Sequence, residues 1–177
     1  MTKRKDIWAG LIGVAVIAVA ALVWLAPWQA ERAPEVRLET LEGDRFALSD
    51  FRGQPTIVAF RATTCASCVE EIPHFKDLHA EFADQGFEII AVAMEYDPPE
   101  QVRAMAEDRE LPYRVVLDRD GSIARAFGEI RLTPTTFLIG PDGEILQRRL
   151  GRVDVERMRE RLTGLVPGQP VADLGDA

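Results

Sequence analysis

The chain has 177 residues, 47% of them hydrophobic and 28% charged, with a formal net charge of −8. That length holds one domain and an appendage, and the acidic balance argues against gripping nucleic acid or anionic lipid through a basic face. Two cysteines can build neither a disulfide scaffold nor a four-thiolate zinc site, but they can form one pair.

The first predicted element is Ile7–Leu25, IWAGLIGVAVIAVAALVWL, which carries no charged residue. A run of that length spans a bilayer as a helix. Trp8 at one end, and Trp24 and Trp28 at the other, stand where interfacial aromatic belts form; Lys3, Arg4 and Lys5 precede the run. The positive-inside tendency keeps residues 1–6 in the cytoplasm and puts everything after Leu25 on the periplasmic or extracytoplasmic side of the cell membrane. A cleaved signal peptide would have a shorter apolar core followed by a small-x-small site, and Trp28 spoils the candidate ending at Ala30. The expectation is one uncleaved transmembrane signal anchor at 7–25 and a proline-containing linker at 26–34.

The exported domain is expected over 35–166, with a flexible tail at 167–177. Val36 and Leu38, then Phe46 and Leu48, flank Glu42-Gly43-Asp44 and read as a hairpin. Thr56–Phe60, TIVAF, is a β-branched apolar run of the kind buried on both faces of a parallel sheet. Ile72, Phe75, Leu78 and Phe82 recur at helical spacing, and Gly86 closes that helix. A second buried strand follows at Phe87–Met94, then a helix over Pro98–Arg109 and a short extended piece at Tyr113–Asp118. A short helix is expected over Ser122–Phe127. Thr135–Ile139 and Glu144–Leu150 flank the turn Pro141-Asp142-Gly143, and Asp154 caps a last helix reaching about Leu162. A βαβ unit followed by a hairpin and a helix is an α/β arrangement. It brings the ends of its first two core strands to one sheet edge, where sites in such folds form.

Cys65 and Cys68 lie just past the first core strand, in FRATTCASCVEEIP. A strand-to-helix turn there places Cys65 at a helix start, whose unpaired amides favour a thiolate, the nucleophilic form. Cys68 falls on the same face of the first turn. Such a pair suits thiol–disulfide exchange, one sulfur attacking and the other resolving. A c-type haem site needs CxxCH, but Val69 follows Cys68; the only histidines, His74 and His79, are poorly placed to share a metal ion with the thiols. A purely structural disulfide would close too small a loop to restrict the unfolded chain much.

The CxxC after a buried strand, Pro73 five residues beyond it and the distal TPTTFLIGPDGEI together resemble the thioredoxin fold. The apolar N-terminus, the leading hairpin and FALSDFRGQPTIVAF resemble, more narrowly, the membrane-anchored ResA/TlpA-type thiol-disulfide oxidoreductases, over roughly Glu35 to Leu165. That resemblance implies an α/β thioredoxin-like domain, with a central mixed sheet, flanking helices and an extra N-terminal β-hairpin, after one transmembrane helix. It implies that Cys65 attacks and the more buried Cys68 resolves. Pro134 would be a cis-proline facing them, and Thr133 would offer backbone hydrogen bonds to a substrate segment. Glu71, three residues after Cys68, would move a proton for the resolving thiol. An ordinary solvated carboxylate is the competing reading, with Glu70 next to it and Glu95 as a substitute. Ala59 stands where thioredoxins carry a buried aspartate.

The chain departs from the pattern. The family usually reads FWATWC and this chain FRATTC, so Arg61 and Thr64 replace two tryptophans. An arginine at a strand end is expected in solvent; turned inward, Arg61 would stabilise a thiolate. Ala66-Ser67 between the sulfurs alters the redox potential. The Phe127–Pro134 loop is one residue longer than in thioredoxin, with Glu129 as the insertion. The function implied by the resemblance is a membrane-tethered disulfide reductase. Its partners would be exported dithiol or disulfide proteins, its electrons would come from a membrane thiol transporter, and its setting would be cytochrome c maturation. The dithiol would be the redox group, with no small-molecule cofactor, metal or nucleic acid. Two other classes stand beside it. A peroxiredoxin-like peroxidase needs a threonine three residues before its cysteine, where this chain has Ala62. The other is a non-catalytic metal carrier or binding module on the same fold.

Overall fold

The computed structural model describes residues 31–166, so the expected cytoplasmic stretch 1–6, transmembrane anchor 7–25 and tail 167–177 lie outside the described residues. Among the described residues, no helix is long and apolar enough to cross a membrane.

A hairpin of β1 (Arg37–Glu39) and β2 (Arg45–Ala47) comes first, pairing Leu38 with Phe46. Gly43 sits in its turn at φ +96°, a conformation that suits a residue without Cβ. The central sheet follows, built from β3 (Thr56–Arg61), β4 (Glu88–Ala93), β5 (Arg114–Leu117), β6 (Thr135–Ile139) and β7 (Ile145–Leu150) in the spatial order β5-β4-β3-β6-β7. β3, β4 and β5 run parallel, while β6 is antiparallel to β3 and β7 to β6. The sheet is therefore mixed. Every residue of β3 is buried, as its continuous apolar run requires of a central strand.

Among the described residues, five α-helices flank the sheet: α1 (Ala66–Glu70), α2 (Ile72–Phe82), α3 (Pro99–Asp108), α4 (Ser122–Ala126) and α5 (Val155–Thr163). Strand alternation divides the core into two layers. Ile57 and Ala59 face the first, with Phe75, Leu78 and Phe82 of α2 and Met158 and Leu162 of α5. Val58 and Phe60 face the second, with Phe137, Phe127 and Ile123 of α4. Each such side chain, fully buried, contributes roughly 1.5–3 kcal/mol. Truncating Leu78, which is central to the first layer, would cost about 2–5 kcal/mol.

The edges are closed locally. Leu41 N donates to Val115 O at 3.0 Å, so the end of the hairpin covers β5. On the far edge, Ile145 N donates to Glu31 O at 2.7 Å and Ala33 N to Gly143 O at 2.9 Å. Glu31 and Ala33, in the stretch 26–34 expected as a linker, are thus hydrogen-bonded to the first residue of β7 and to the turn before it. Asp154 caps α5 as expected, its carboxylate accepting from Arg157 N at 3.1 Å. β3 and β4 are joined through α1 and α2, which leaves the C-terminal ends of both strands at one edge of the sheet.

Candidate active site

Cys65 and Cys68 form a disulfide, with Sγ atoms 2.20 Å and Cα atoms 5.2 Å apart. Cys65 occupies the N-cap of α1 in an extended conformation, and its Sγ accepts from Cys68 N at 3.3 Å. Ser67 Oγ lies 3.5 Å from the same sulfur. Cys65 is half-buried and Cys68 is 2% exposed, so only one sulfur is open to a partner. When the bond opens, the Cys68 amide is in place to stabilise a Cys65 thiolate.

The turn that presents Cys65 is anchored from the loop that follows the neighbouring strand β4. Cys65 N donates to Ala62 O at 3.1 Å. Thr63 donates twice to Asp97, from its amide to Oδ2 at 2.7 Å and from its hydroxyl to Oδ1. Asp97 is buried in the loop after β4. Sequence reasoning missed it; the only signal was its place before Pro98-Pro99, which reads as a helix start.

Glu71 follows α1 and ends it, and α2 restarts with Pro73 in its first turn. This break turns the Glu71 side chain inward, where it is 1% exposed. Its Oε1 accepts from Val153 N at 2.6 Å. Its Oε2 lies 3.5 Å from Arg61 Nη2, an ion pair without hydrogen-bond geometry. Glu70, by contrast, is exposed and pairs with Arg152 at 3.0 Å on the surface. Glu95 is exposed beyond β4.

Arg61 corrects the expectation of a solvated side chain. It is 9% exposed, and Nη1 donates to Cys68 O at 2.8 Å. Its guanidinium carbon lies 3.9 Å from the centroid of the Phe75 ring. The physical reason is the pleat: β3 extends one residue past the apolar run, so Arg61 shares a face with Ile57 and Ala59 and points under α2. Burial holds its pKa below the ordinary arginine value, while Tyr113 and Glu71 oppose that shift. An arginine so placed stays charged at working pH. A cavity of about 50 Å³ lies behind the disulfide, lined by Arg61, Cys68, Val69, Ile72 and Tyr113 among others.

The Thr133–Pro134 peptide bond is cis. Pairing of Phe60 with Thr135 carries it to the edge where β3 leads toward Cys65. Pro134 O accepts from Gly151 N at 2.8 Å, and Thr135 Oγ1 donates to Leu132 O at 2.7 Å. Leu132 and Leu150 stand 61% and 58% exposed on either side of this loop. Glu129, the expected insertion, has a left-handed φ of 59° directly after Gly128 at 86°. Among the described residues, no group of three or more His, Cys, Asp or Glu side chains could hold a metal ion.

Residues 30–148 match the AhpC/TSA family. The thiol-disulfide oxidoreductase ResA of Halalkalibacterium halodurans is 34% identical over 175 residues, covering 94% of this chain and 98% of its own. The chain belongs to the ResA-type thiol-disulfide oxidoreductases of the thioredoxin superfamily. ResA of Bacillus thuringiensis subsp. konkukian is 31% identical over 137 residues, 77% of this chain and 78% of its own. The solution structure of a putative thioredoxin from Neisseria meningitidis superposes with a TM-score of 0.70 at 32% identity, covering 76% of this chain and 89% of that one. This ResA-type chain is thus an enzyme of thiol–disulfide exchange on a thioredoxin-like fold, with Cys65 and Cys68 as its CxxC pair.

Proposed function

We propose that this ResA-type chain is a membrane-tethered reductase of disulfides in exported proteins. The observation that carries the mechanism is the asymmetry of the dithiol, with Cys65 half-open at a helix cap and Cys68 enclosed. In the reduced enzyme, the Cys65 thiolate attacks one sulfur of a partner disulfide. A bond forms between Cys65 and that sulfur, and the partner's other sulfur leaves as a thiolate. Cys68 then passes its proton through Glu71 to solvent, which leaves Glu71 a carboxylate again, and attacks Cys65 Sγ. The mixed disulfide breaks, the partner leaves as a dithiol after protonation, and the enzyme carries the Cys65–Cys68 disulfide. Two electrons have passed to the partner. A membrane thiol transporter returns two electrons to reset the pair.

The Thr133 backbone, next to cis-Pro134, is the surface on which a partner strand would align its disulfide. Support for the tether is the uncharged run Ile7–Leu25 behind three basic residues, and the 94% alignment with the Halalkalibacterium relative extends into that run. The extracytoplasmic side is read from Lys3, Arg4 and Lys5 ahead of the apolar run, and a role in cytochrome c maturation is what the family resemblance suggests.

The AhpC/TSA match raises a peroxidase as a second reading. Ala62 stands three residues before Cys65, where that chemistry needs a threonine, and the Thr63 hydroxyl is committed to Asp97. The test is a Cys68→Ser variant in its native membrane. Mixed disulfides with exported proteins through Cys65 should accumulate and be identifiable by mass spectrometry. Wild type that traps no partner, leaves insulin disulfides intact and consumes peroxide would sink the reductase reading.

A further inference from the structure

The buried cation under the dithiol has no counterpart in the FWATWC pattern, where a neutral indole occupies its place. We infer that Arg61 is a positioning residue for the resolving step: it clamps Glu71 and the Cys68 main chain together and lets Cys68 ionise beside a carboxylate. The inference rests on the exchange chemistry proposed above and assigns a role within it.

Two contacts make the clamp. Nη1 donates to Cys68 O at 2.8 Å, and Nη2 lies 3.5 Å from Glu71 Oε2. Phe75 closes over the guanidinium from α2. All of this is sealed from water, with Cys68, Glu71 and Arg61 each less than one tenth exposed. In such surroundings a thiolate next to a carboxylate alone would add a second uncompensated negative charge, and like charges oppose ionisation. With the guanidinium present, the carboxylate is already matched when the thiol gives up its proton. The remaining groups that face the site are Tyr113, ahead of β5, and Asp97, after β4. Burial holds the Tyr113 phenol protonated beyond its ordinary range. Asp97 is taken up by Thr63. Val153 N binds the oxygen of Glu71 that Arg61 does not face. Arg61 is therefore the one cation that touches both the carboxylate and the resolving cysteine among the described residues.

The test is a double-mutant cycle on the reduced full-length protein in detergent, using Arg61→Met, Glu71→Gln and both together. Alkylation of each cysteine by iodoacetamide is followed against pH and read by mass spectrometry. Arg61→Met should raise the pH midpoint for Cys68 alkylation by at least about one unit and move that of Cys65 less. Glu71→Gln should lower the Cys68 midpoint, and adding Arg61→Met to it should raise the midpoint again. Arg61→Lys should recover part of the wild-type profile. The double variant leaves no unmatched carboxylate, so the cycle remains readable if Arg61→Met alone fails to fold. Midpoints for Cys68 that coincide with and without Arg61, in both backgrounds, would overturn the inference. So would Arg61→Lys behaving like Arg61→Met. Alkylation needs no protein partner, so a wild type that fails to reduce insulin disulfides would remove the proposed function without deciding this result.

Discussion

Val153 N donates to Glu71 Oε1 at 2.6 Å across 82 residues of chain, tying the helix break after the dithiol to the loop that opens α5. The same carboxylate faces Arg61 through its other oxygen. Glu71 thus joins the end of β3, ten residues before it, to the loop ahead of α5, 82 residues after it.

Replacing Glu71 by alanine should be severe. It strands Arg61 as an unmatched buried cation and leaves the Val153 amide without its acceptor. Breaking a buried pair from one side costs about 3–5 kcal/mol. Glu70→Ala, one residue earlier, removes only an exposed pair with Arg152 and should cost less than about 1 kcal/mol. Urea unfolding of the two variants side by side checks the contrast. Equal losses would mean that the buried pair contributes nothing particular.

Alkaline pH should destabilise the domain through Tyr113. Burial raises its phenol above the ordinary 10.0, and Arg61 acts against that shift. Above pH 10.0 the unfolded chain releases this proton while the folded state keeps it. The folded state then binds more protons than the unfolded one, so stability falls as pH rises. The stability is fully present below that pH and is lost as pH climbs through the raised value. Tyr113→Phe should flatten this alkaline limb. Unfolding free energies measured on either side of pH 10.0 would show it, and parallel limbs in both proteins would refute it.

The clamp on the Thr63 turn is the third target. Asp97→Ala removes the acceptor for both the amide and the hydroxyl of Thr63. A lost hydrogen bond to a charged group is worth about 1.5–3 kcal/mol, so a loss of about 3–6 kcal/mol is expected for the pair. Asp97→Asn keeps one accepting oxygen and should recover part of it. The turn leading into Cys65 should also loosen, so dithiothreitol should open the disulfide faster in Asp97→Ala than in wild type. A disulfide opened at the wild-type rate would show that the turn is held by other contacts.

What the sequence made legible was what is local. The run Thr56–Phe60 and the stripe Ile72, Phe75, Leu78 and Phe82 carry their own periods, and both lie in the core as those periods require. The spacing of Cys65 and Cys68 is likewise a local geometry, and the disulfide follows from it. Arg61 was within reach of the same reasoning. Its alternation with Ile57 and Ala59 points inward, but its charge favours solvent and it stands outside the apolar run TIVAF. The Glu71–Val153 and Thr63–Asp97 bonds were out of reach, because their partners lie 82 and 34 residues away and nothing in either neighbourhood encodes the other. The pairing of Glu31 with the first residue of β7, and of Ala33 with the turn before it, is illegible in the sequence for the same reason.

Cys68 is held at both of its main-chain polar atoms: its amide donates to Cys65 O at 3.0 Å, and its carbonyl accepts from Arg61 at 2.8 Å. Neither bond depends on the link between the sulfurs. Opening that link therefore requires neither of these main-chain bonds to break. The resolving cysteine is thus tethered through its backbone, on one side to the outer cysteine and on the other to the end of β3.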